Sequence, residues 1–399
     1  MAEQKKVRNY AVDFWRTFAT LFVTFFHFWL IHPLGFIEGT GELTVTWFTS
    51  GNLLPVFLVT TGYFLAAGYE SKRRRGLTQG PATGQAWYYM LGRYKGLYPA
   101  YMLGLIWGFI VMNCIYTHQP MGQIISNLFN SVYEILGLSA IGVNATAATG
   151  IGYYPYVMYA WNTPLWYISA IFVGGFILYY LLCKNKDVFV GLIAPVIVVL
   201  SLGYWGLAGE GTTLFFTQQI SCTTKNLLAF GLIENSFLYG LAGMCLGIDV
   251  YYIVEWLKKF NYSDFTQHVL TIVNGGFTIL IFWWMIHGNS YDEIVVLVFI
   301  TVVMILTMLG KDQFTQLINR KVFGTLGEFS LYFFVAHFPT LYVMQTYIEH
   351  TNENYYTLLV LSMVINTILG FTFQVISKKL LSPFLNGAFV KRQGAQAER

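Results

Sequence analysis

Long apolar runs recur along this chain, and the short polar segments between them hold almost all of its charge. Many of the runs approach the roughly 20 residues that a helix needs to cross the hydrocarbon core of a bilayer. Only 11% of the residues are charged, whereas soluble domains average about 25%. Water cannot solvate most of such a surface. The sequence therefore predicts an all-α integral membrane protein in a lipid bilayer, because a spanning segment must satisfy its backbone hydrogen bonds internally.

We place about ten transmembrane helices in one membrane domain that covers residues 1–399. The apolar run that follows the polar N-terminus has no small-residue cleavage site after it, so we interpret it as a retained span rather than a signal peptide. The approximate limits of the spans are 14–33, 45–68, 97–117, 163–183, 188–206, 227–248, 269–287, 293–310, 323–346 and 355–377.

Basic residues segregate to one side of this arrangement. That side collects 21 of the 23 Lys and Arg residues, Arg16 lies at the same face, and Lys225 alone falls opposite. The positive-inside rule then puts both termini in the cytoplasm, and we expect the bacterial cytoplasmic membrane as the location. The charges sit in short loops between spans, so no nucleic-acid partner is expected.

The longest segment on the other side, about 118–162, contains no Lys or Arg. Its aromatic residues fit an interfacial belt, with a carbohydrate platform as the alternative.

Ionisable side chains inside spans are costly and are functional candidates by default. In the first span, His27 follows Arg16 by eleven residues, so the two share a helix face and lie about 16 Å apart along the axis. The structural alternative is an Asp13–Arg16 pair at a helix end and a hydrogen-bonded core histidine. No metal-ligand spacing is present, and proton transfer suits histidine best. Further polar candidates in the sixth and ninth spans are Glu234, Glu328, Ser330 and His337.

The loop at 70–95 concentrates six basic residues, at positions 72–75 and at Arg93 and Lys95. Membrane topology and anionic lipids explain part of this charge. The functional alternative is a site for a phosphorylated cytoplasmic ligand, since the arginine side chain matches phosphate geometry.

Five separated motifs span the whole chain: Asp13-x-x-Arg16 with His27, the aromatic run at 57–65 with Thr61 in the place of a serine, Arg93 to Tyr98-Pro99, Leu165-Trp166, and Leu326-Gly327-x-x-Ser330 with His337. Together they resemble the motifs of the acyltransferase-3 family of integral membrane acyltransferases. The second arginine of the family's Arg-x-x-Arg element falls on Gly96, with Lys95 one place earlier. Only the membrane unit is matched, without the soluble esterase-like domain that some members carry.

The resemblance implies ten spans and transfer of an acetyl or other short acyl group from cytoplasmic acyl-CoA to a hydroxyl of an extracytoplasmic glycan. Acyl-CoA, expected to be acetyl-CoA, is then a co-substrate rather than a permanently bound cofactor. Its phosphates would meet Arg16, Arg93 and Lys95, and its pantetheine arm would reach toward His27.

His27 is the implied general base, with an acyl-histidine intermediate as a variant, and His337 is expected to bind or orient the acceptor. The donor to the thioester oxyanion stays open between Thr60, Thr61 and Trp166. Supporting roles are expected for Asp13, Glu234, Glu328 and Ser330.

The main alternative is an exporter or flippase of a polysaccharide or lipid-linked glycan, with the intramembrane charges on its substrate or proton path. Neither an inverted repeat nor a matched pair of Gly/Pro-broken spans supports it. A sensor or structural membrane protein is a third possibility. The sequence leaves the oligomeric state open.

Overall fold

A computed structural model describes residues 8–31, 53–138, 161–208, 227–228, 233–287, 293–349, 351 and 354–384. Apart from one minimal antiparallel pair, β1 (Leu227–Leu228) and β2 (Ile233–Glu234), its regular structure is helical. The helices are α1 (Tyr10–Ile31), α2 (Leu54–Arg74), α3 (Ala82–Ile110), α4 (Met121–Asn130), α5 (Val132–Ile135), α6 (Trp166–Val188), α7 (Ala194–Ala208), α8 (Asn235–Leu257), α9 (Asp264–His287), α10 (Glu293–Leu309), α11 (Gln313–Ile318), α12 (Lys321–Tyr347) and α13 (Tyr355–Ile376). Single π-helical turns extend α3 to Tyr116, α6 to Ile193 and α13 to Leu381.

Every predicted span overlaps one of these helices. In the described part of the chain, five helical stretches are long and apolar enough to cross a membrane, and a shorter apolar helix runs over Val296–Leu309. The all-α membrane character is thus confirmed. The count of ten spans and the sides of the termini stay predictions. The five stretches are Ala82–Tyr116, Thr163–Ser201, Phe237–Leu257, Asp264–Ile286 and Tyr355–Phe384.

Several helices begin or end more than a turn away from the predicted span limits. Helix α2 begins at Leu54, with Pro55 in its first turn, and runs on to Arg74; residues 45–52 of the predicted span lie outside the described residues. Helix α3 already begins at Ala82, so residues 82–96 are helical rather than loop. The sixth span begins at Asn235 instead of 227 and continues to Leu257. Hydropathy marks the apolar part of a helix, whereas polar residues can extend the same backbone ladder past it.

The stretch Thr163–Ser201 combines two predicted spans. Inside α6, Asn185 leaves the helical conformation, with φ −157° and ψ 92°. This break lies between Lys184 and Lys186, where the sequence predicts a short basic loop. The predicted limits 163–183 and 188–206 therefore match the two sides of the break.

Contacts between helix ends bring basic residues together at one end of the bundle. At the C-terminal ends of α2, α6 and α8, Arg74 pairs with Glu255 at 3.5 Å and Lys186 with Glu70 at 3.7 Å. At the N-terminal ends of α1 and α12, the Nη2 of Arg8 donates to the Gly324 carbonyl at 3.3 Å. We call these helix ends, together with the C-terminal end of α13, the basic end of the bundle.

Helices α4 and α5 fold back along α3 instead of standing away from the bundle. The Nδ2 of Asn127 donates to Oδ1 of Asn113 at 2.6 Å, and the Tyr98 hydroxyl donates to the Ile135 carbonyl at 2.7 Å. These contacts span about 22 Å along the α3 axis. The predicted loop at 118–162 thus begins with a segment that packs against the bundle; residues 139–160 lie outside the described part.

Candidate active site

The site centres on two histidines from helices at opposite ends of the sequence. Nδ1 of His27 in α1 lies 2.8 Å from Nε2 of His337 in α12, and the ring centroids are 5.0 Å apart at 27°. His337 is fully buried and His27 is partly buried. The two residues expected to carry the chemistry are therefore brought into direct contact.

The hydrogen bonds around His337 determine where the protons lie on both neutral rings. Nδ1 of His337 contacts the carbonyl of Phe334, and because a carbonyl only accepts, this nitrogen must carry a proton. The Nε2 of a neutral His337 is then an acceptor, so Nδ1 of His27 must be the donor in the contact between the rings. Nε2 of a neutral His27 keeps a free lone pair, which is the form that a general base requires.

Close packing between α1 and α12, nearer the basic end, supports this contact between the histidines. A Cβ atom at Gly327 would lie 2.6 Å from Cβ of Asp13, so only glycine allows the two helices to approach there. Ser330 donates its hydroxyl to the Gly327 carbonyl at 3.0 Å. The Gly327-x-x-Ser330 part of the motif thus has a packing function, and it brings Asp13 against α12.

Arg16 remains available because another arginine satisfies Asp13. The Nε of Arg8 donates to Oδ2 of Asp13 at 2.7 Å, while Arg16 Nη1 lies 3.7 Å from Oδ1. This bond raises the pKa of Arg8, which precedes α1. A third of the Arg16 side chain is exposed, so it can meet a ligand at the basic end. The expected Asp13–Arg16 pair exists, but it is the weaker of the two.

An aromatic cluster lies between Arg16 and the histidines. The Tyr167 ring contacts the rings of Phe57 at 5.7 Å and Phe334 at 5.0 Å, and Tyr167 interacts electrostatically with Arg16. Phe334 in turn packs against His337, with centroids 5.2 Å apart. The three rings come from α2, α6 and α12, and they connect the Arg16 region to the histidine pair.

Arg93 lies on α3, beside the part of the basic end that α2 and α6 form. Its Nε donates to the Tyr89 hydroxyl at 3.0 Å, and its guanidinium lies 5.3 Å from the Tyr89 ring centroid. Tyr89 stacks on Tyr179 of α6, with centroids 4.5 Å apart, and the Lys72 amine lies 5.4 Å from the Tyr179 centroid. Lys95 is partly buried two residues further along α3, which places it on nearly the opposite side of the helix from Arg93. Arg93 is therefore oriented by aromatic rings rather than by an acid.

Other expected site residues have different surroundings. Glu328 is half-exposed and pairs with Lys378 at 2.5 Å, so its carboxylate is a surface group of the basic end and not part of the histidine site.

The Thr60 hydroxyl already donates to the Val56 carbonyl at 2.7 Å, which leaves Thr61 and Trp166 as the expected oxyanion donors. Trp166 contacts Tyr239 on α8, with centroids 6.3 Å apart. The Glu234 side chain lies outside what the structure describes.

Sequence reasoning missed Arg8, Tyr167 and the Phe334 carbonyl. Arg8 was counted only as a topology charge, although its spacing of five residues from Asp13 was visible. Tyr167 follows Trp166 in a quoted motif, but nothing in the sequence ties it to Arg16. A backbone carbonyl carries no sequence signal. In the described residues, no group of three or more potential metal ligands lies together.

A model of the acyltransferase-3 family, described as an acyltransferase domain, matches residues 9–375. The chain therefore belongs to the acyltransferase-3 family, and it is a membrane acyltransferase. The match includes both histidines, Arg16 and Arg93. No curated protein matches the chain, and no solved structure does.

Proposed function

We propose that this acyltransferase moves an acetyl or other short acyl group from acyl-CoA at the basic end to a glycan hydroxyl at the opposite end. The observation that carries the proposal is the hydrogen bond between His27 and His337, because it leaves Nε2 of His27 unprotonated. A base in contact with a buried second histidine, inside a membrane acyltransferase, fits deprotonation of an acceptor hydroxyl.

In the proposed reaction, the acceptor hydroxyl gives its proton to Nε2 of His27 while its oxygen attacks the thioester carbonyl. The C–S bond of the tetrahedral intermediate then breaks, and the proton passes from His27 to the leaving thiolate. The products are an O-acyl glycan and free CoA, so the atoms balance.

From the sequence, His337 was expected to bind or orient the acceptor. We propose instead that it orients His27. Its Nε2 accepts from Nδ1 of His27 and therefore stabilises the imidazolium that forms when Nε2 takes the proton. The Phe334 carbonyl fixes the tautomer of His337. Each ring is thus held by the next group in the chain of hydrogen bonds.

The proposed donor site uses Arg16, Arg93 and Lys95 for the CoA phosphates. Arg16 is supported by its partial exposure and by the Arg8–Asp13 bond, beside which the Arg16–Asp13 contact is only a 3.7 Å ion pair. Its guanidinium therefore keeps donors for charge-assisted bonds to a phosphate. Helix α1 is continuous from Tyr10 to Ile31, so the thioester must reach about 16 Å from Arg16 to His27. An extended pantetheine arm is of that order. The acceptor is proposed to be an envelope glycan outside a bacterial cytoplasmic membrane.

Proteoliposomes test the transfer. With isotope-labelled acetyl-CoA supplied at the basic end and a glycan acceptor at the other, we expect the label on glycan hydroxyls, detected by mass spectrometry. Supplying acetyl-CoA only at the opposite end should give no labelled product. Movement of unmodified glycan, indifferent to acetyl-CoA, would instead identify an exporter.

A further inference from the structure

Helix α12 contains a proline two residues after the buried histidine. Pro339 has no backbone N–H, so the Val335 carbonyl four residues earlier loses its normal helical donor. Val335 is fully buried, and an unpaired buried carbonyl is strongly disfavoured. The turn that carries His337 therefore needs a donor from another part of the chain.

Asn162, at the turn before α6, provides that donor. Its Nδ2 donates to the Val335 carbonyl at 2.8 Å and to the Gly104 carbonyl of α3 at 3.0 Å. Asn162 is fully buried. Since both partners only accept, the amide nitrogen must point at them, which fixes the orientation of the side chain.

Close contact between α3 and α12 aligns the two carbonyls for one amide. A Cβ atom at Gly104 would lie 2.7 Å from Cβ of Val335 and 2.9 Å from its carbonyl oxygen. The adjacent carbonyl of Phe334 is the one that receives Nδ1 of His337. Two consecutive carbonyls of this turn thus have side-chain partners, one from Asn162 and one from His337.

We propose that Asn162 is a positioning residue for acyl transfer. By replacing the hydrogen bond that Pro339 removes, it holds the turn in the conformation that presents Nε2 of His337 to Nδ1 of His27. The proposal rests on the proposed function for its effect on rate, but its effect on the histidine pair is independent of that function. Asn162 itself need not touch either substrate.

Substitution of Asn162 should separate rate from donor binding. Displacing reacting groups by about 1 Å costs on the order of 100-fold in rate, so Asn162→Ala and Asn162→Asp should lower kcat about 10- to 100-fold. KM for acetyl-CoA should stay within about twofold, because the donor site is not involved. The matched control is Asn274→Ala, since Asn274 is also fully buried and also donates two hydrogen bonds, to Asp312 and Thr315, both at 3.0 Å. Equal kcat losses in Asn162→Ala and Asn274→Ala would overturn the proposal.

A second variant tests the mechanism directly. Pro339→Ala restores an N–H that can donate to the Val335 carbonyl. The loss of kcat that Asn162→Ala causes in the Pro339→Ala background should therefore be at most about a third of the loss that it causes in the wild type. An undiminished effect would contradict the proposed role. The comparison remains informative if Asn162→Ala alone assembles poorly, because the double variant should then assemble better than Asn162→Ala alone.

Nitrogen-15 NMR of histidine-labelled protein gives a readout without catalysis. Asn162→Asp should shift the ring nitrogens of His27 and His337 and leave those of the exposed His268 unchanged. Unchanged His337 signals would overturn the proposal. If the wild type transfers no acyl group but Asn162→Asp still shifts these signals, the proposed function is refuted and the positioning role is supported.

Discussion

His27 and His337 are 310 residues apart in the chain, yet one hydrogen bond joins them. Each residue alone is compatible with a buried structural histidine. Together with the Phe334 carbonyl they form a directional chain in which only one nitrogen, Nε2 of His27, has a free lone pair in the neutral state. The catalytic role proposed for the pair thus depends on the hydrogen-bond direction and not on histidine identity alone.

The sequence identified both histidines, because an ionisable side chain in an apolar run is conspicuous. It could not pair them, since tertiary contact between the first and ninth spans leaves no local signal. The same limit applies to Asn162, which lies in a polar segment where an asparagine draws no attention. The positioning role that we propose for it follows from a proline far away in the sequence, in α12.

Arg16 provides the sharpest residue-level test of the donor site. Arg16→Gln should weaken acetyl-CoA binding about 10- to 150-fold, because a hydrogen bond to a charged group contributes roughly 1.5–3 kcal/mol. Asp13 keeps its stronger partner Arg8 in this variant, so folding should change little. Isothermal titration calorimetry measures the affinity.

The control for that titration is Arg320→Gln, since Arg320 is exposed at the basic end and its Nε donates to a carbonyl of its own segment, that of Leu317. Equal and small losses in both variants would mean that Arg16 is not a phosphate ligand.

At the level of elements, the α1–α12 pair is the frame of the site. The two helices touch at Gly327 and Asp13 near the basic end and at the histidines further along. Helical periodicity and the motifs placed these residues on the correct helices. The fold-back of α4 and α5 was not predicted, because a segment without Lys or Arg is compatible with both an external loop and a packed one.

Gly327→Ala tests the importance of this close approach. The new methyl group would lie 2.6 Å from Cβ of Asp13, and overpacking of this kind typically costs about 1–3 kcal/mol. We expect a lower Tm in detergent and slower acyl transfer, since separation of α1 from α12 also separates the histidines.

Gly275 in α9 offers the matched control, because a Cβ atom there would meet nothing within 4 Å. Gly275→Ala should leave activity unchanged and should be neutral or stabilising by up to about 1 kcal/mol. Similar Tm values for the two alanine variants would argue against tight packing at Gly327.

For the whole molecule, the distribution of charge predicts the orientation. The basic end collects the Lys and Arg residues of several helix termini, and the positive-inside rule assigns it to the cytoplasm. In a cysteine-free background, Leu77→Cys should react with an impermeant maleimide only from the cytoplasmic side, and Gly150→Cys only from the opposite side. Leu77 is 59% exposed and so accessible to the reagent. Labelling of both positions from one side would refute the ten-span arrangement.

The central claim is that His27 is the base of an acyl transfer, and His27→Ala tests it most directly. Initial rates of acetyl transfer from acetyl-CoA to the acceptor glycan should be compared for the wild type, His27→Ala and His268→Ala, whose histidine is exposed on α9. General-base assistance contributes about 10²–10⁴-fold, so His27→Ala should lose at least 100-fold while assembly and acetyl-CoA binding stay near normal. His268→Ala should retain the wild-type rate. A His27→Ala protein that keeps more than about a tenth of that rate would contradict the account, and His27 would then be a structural residue of the bundle.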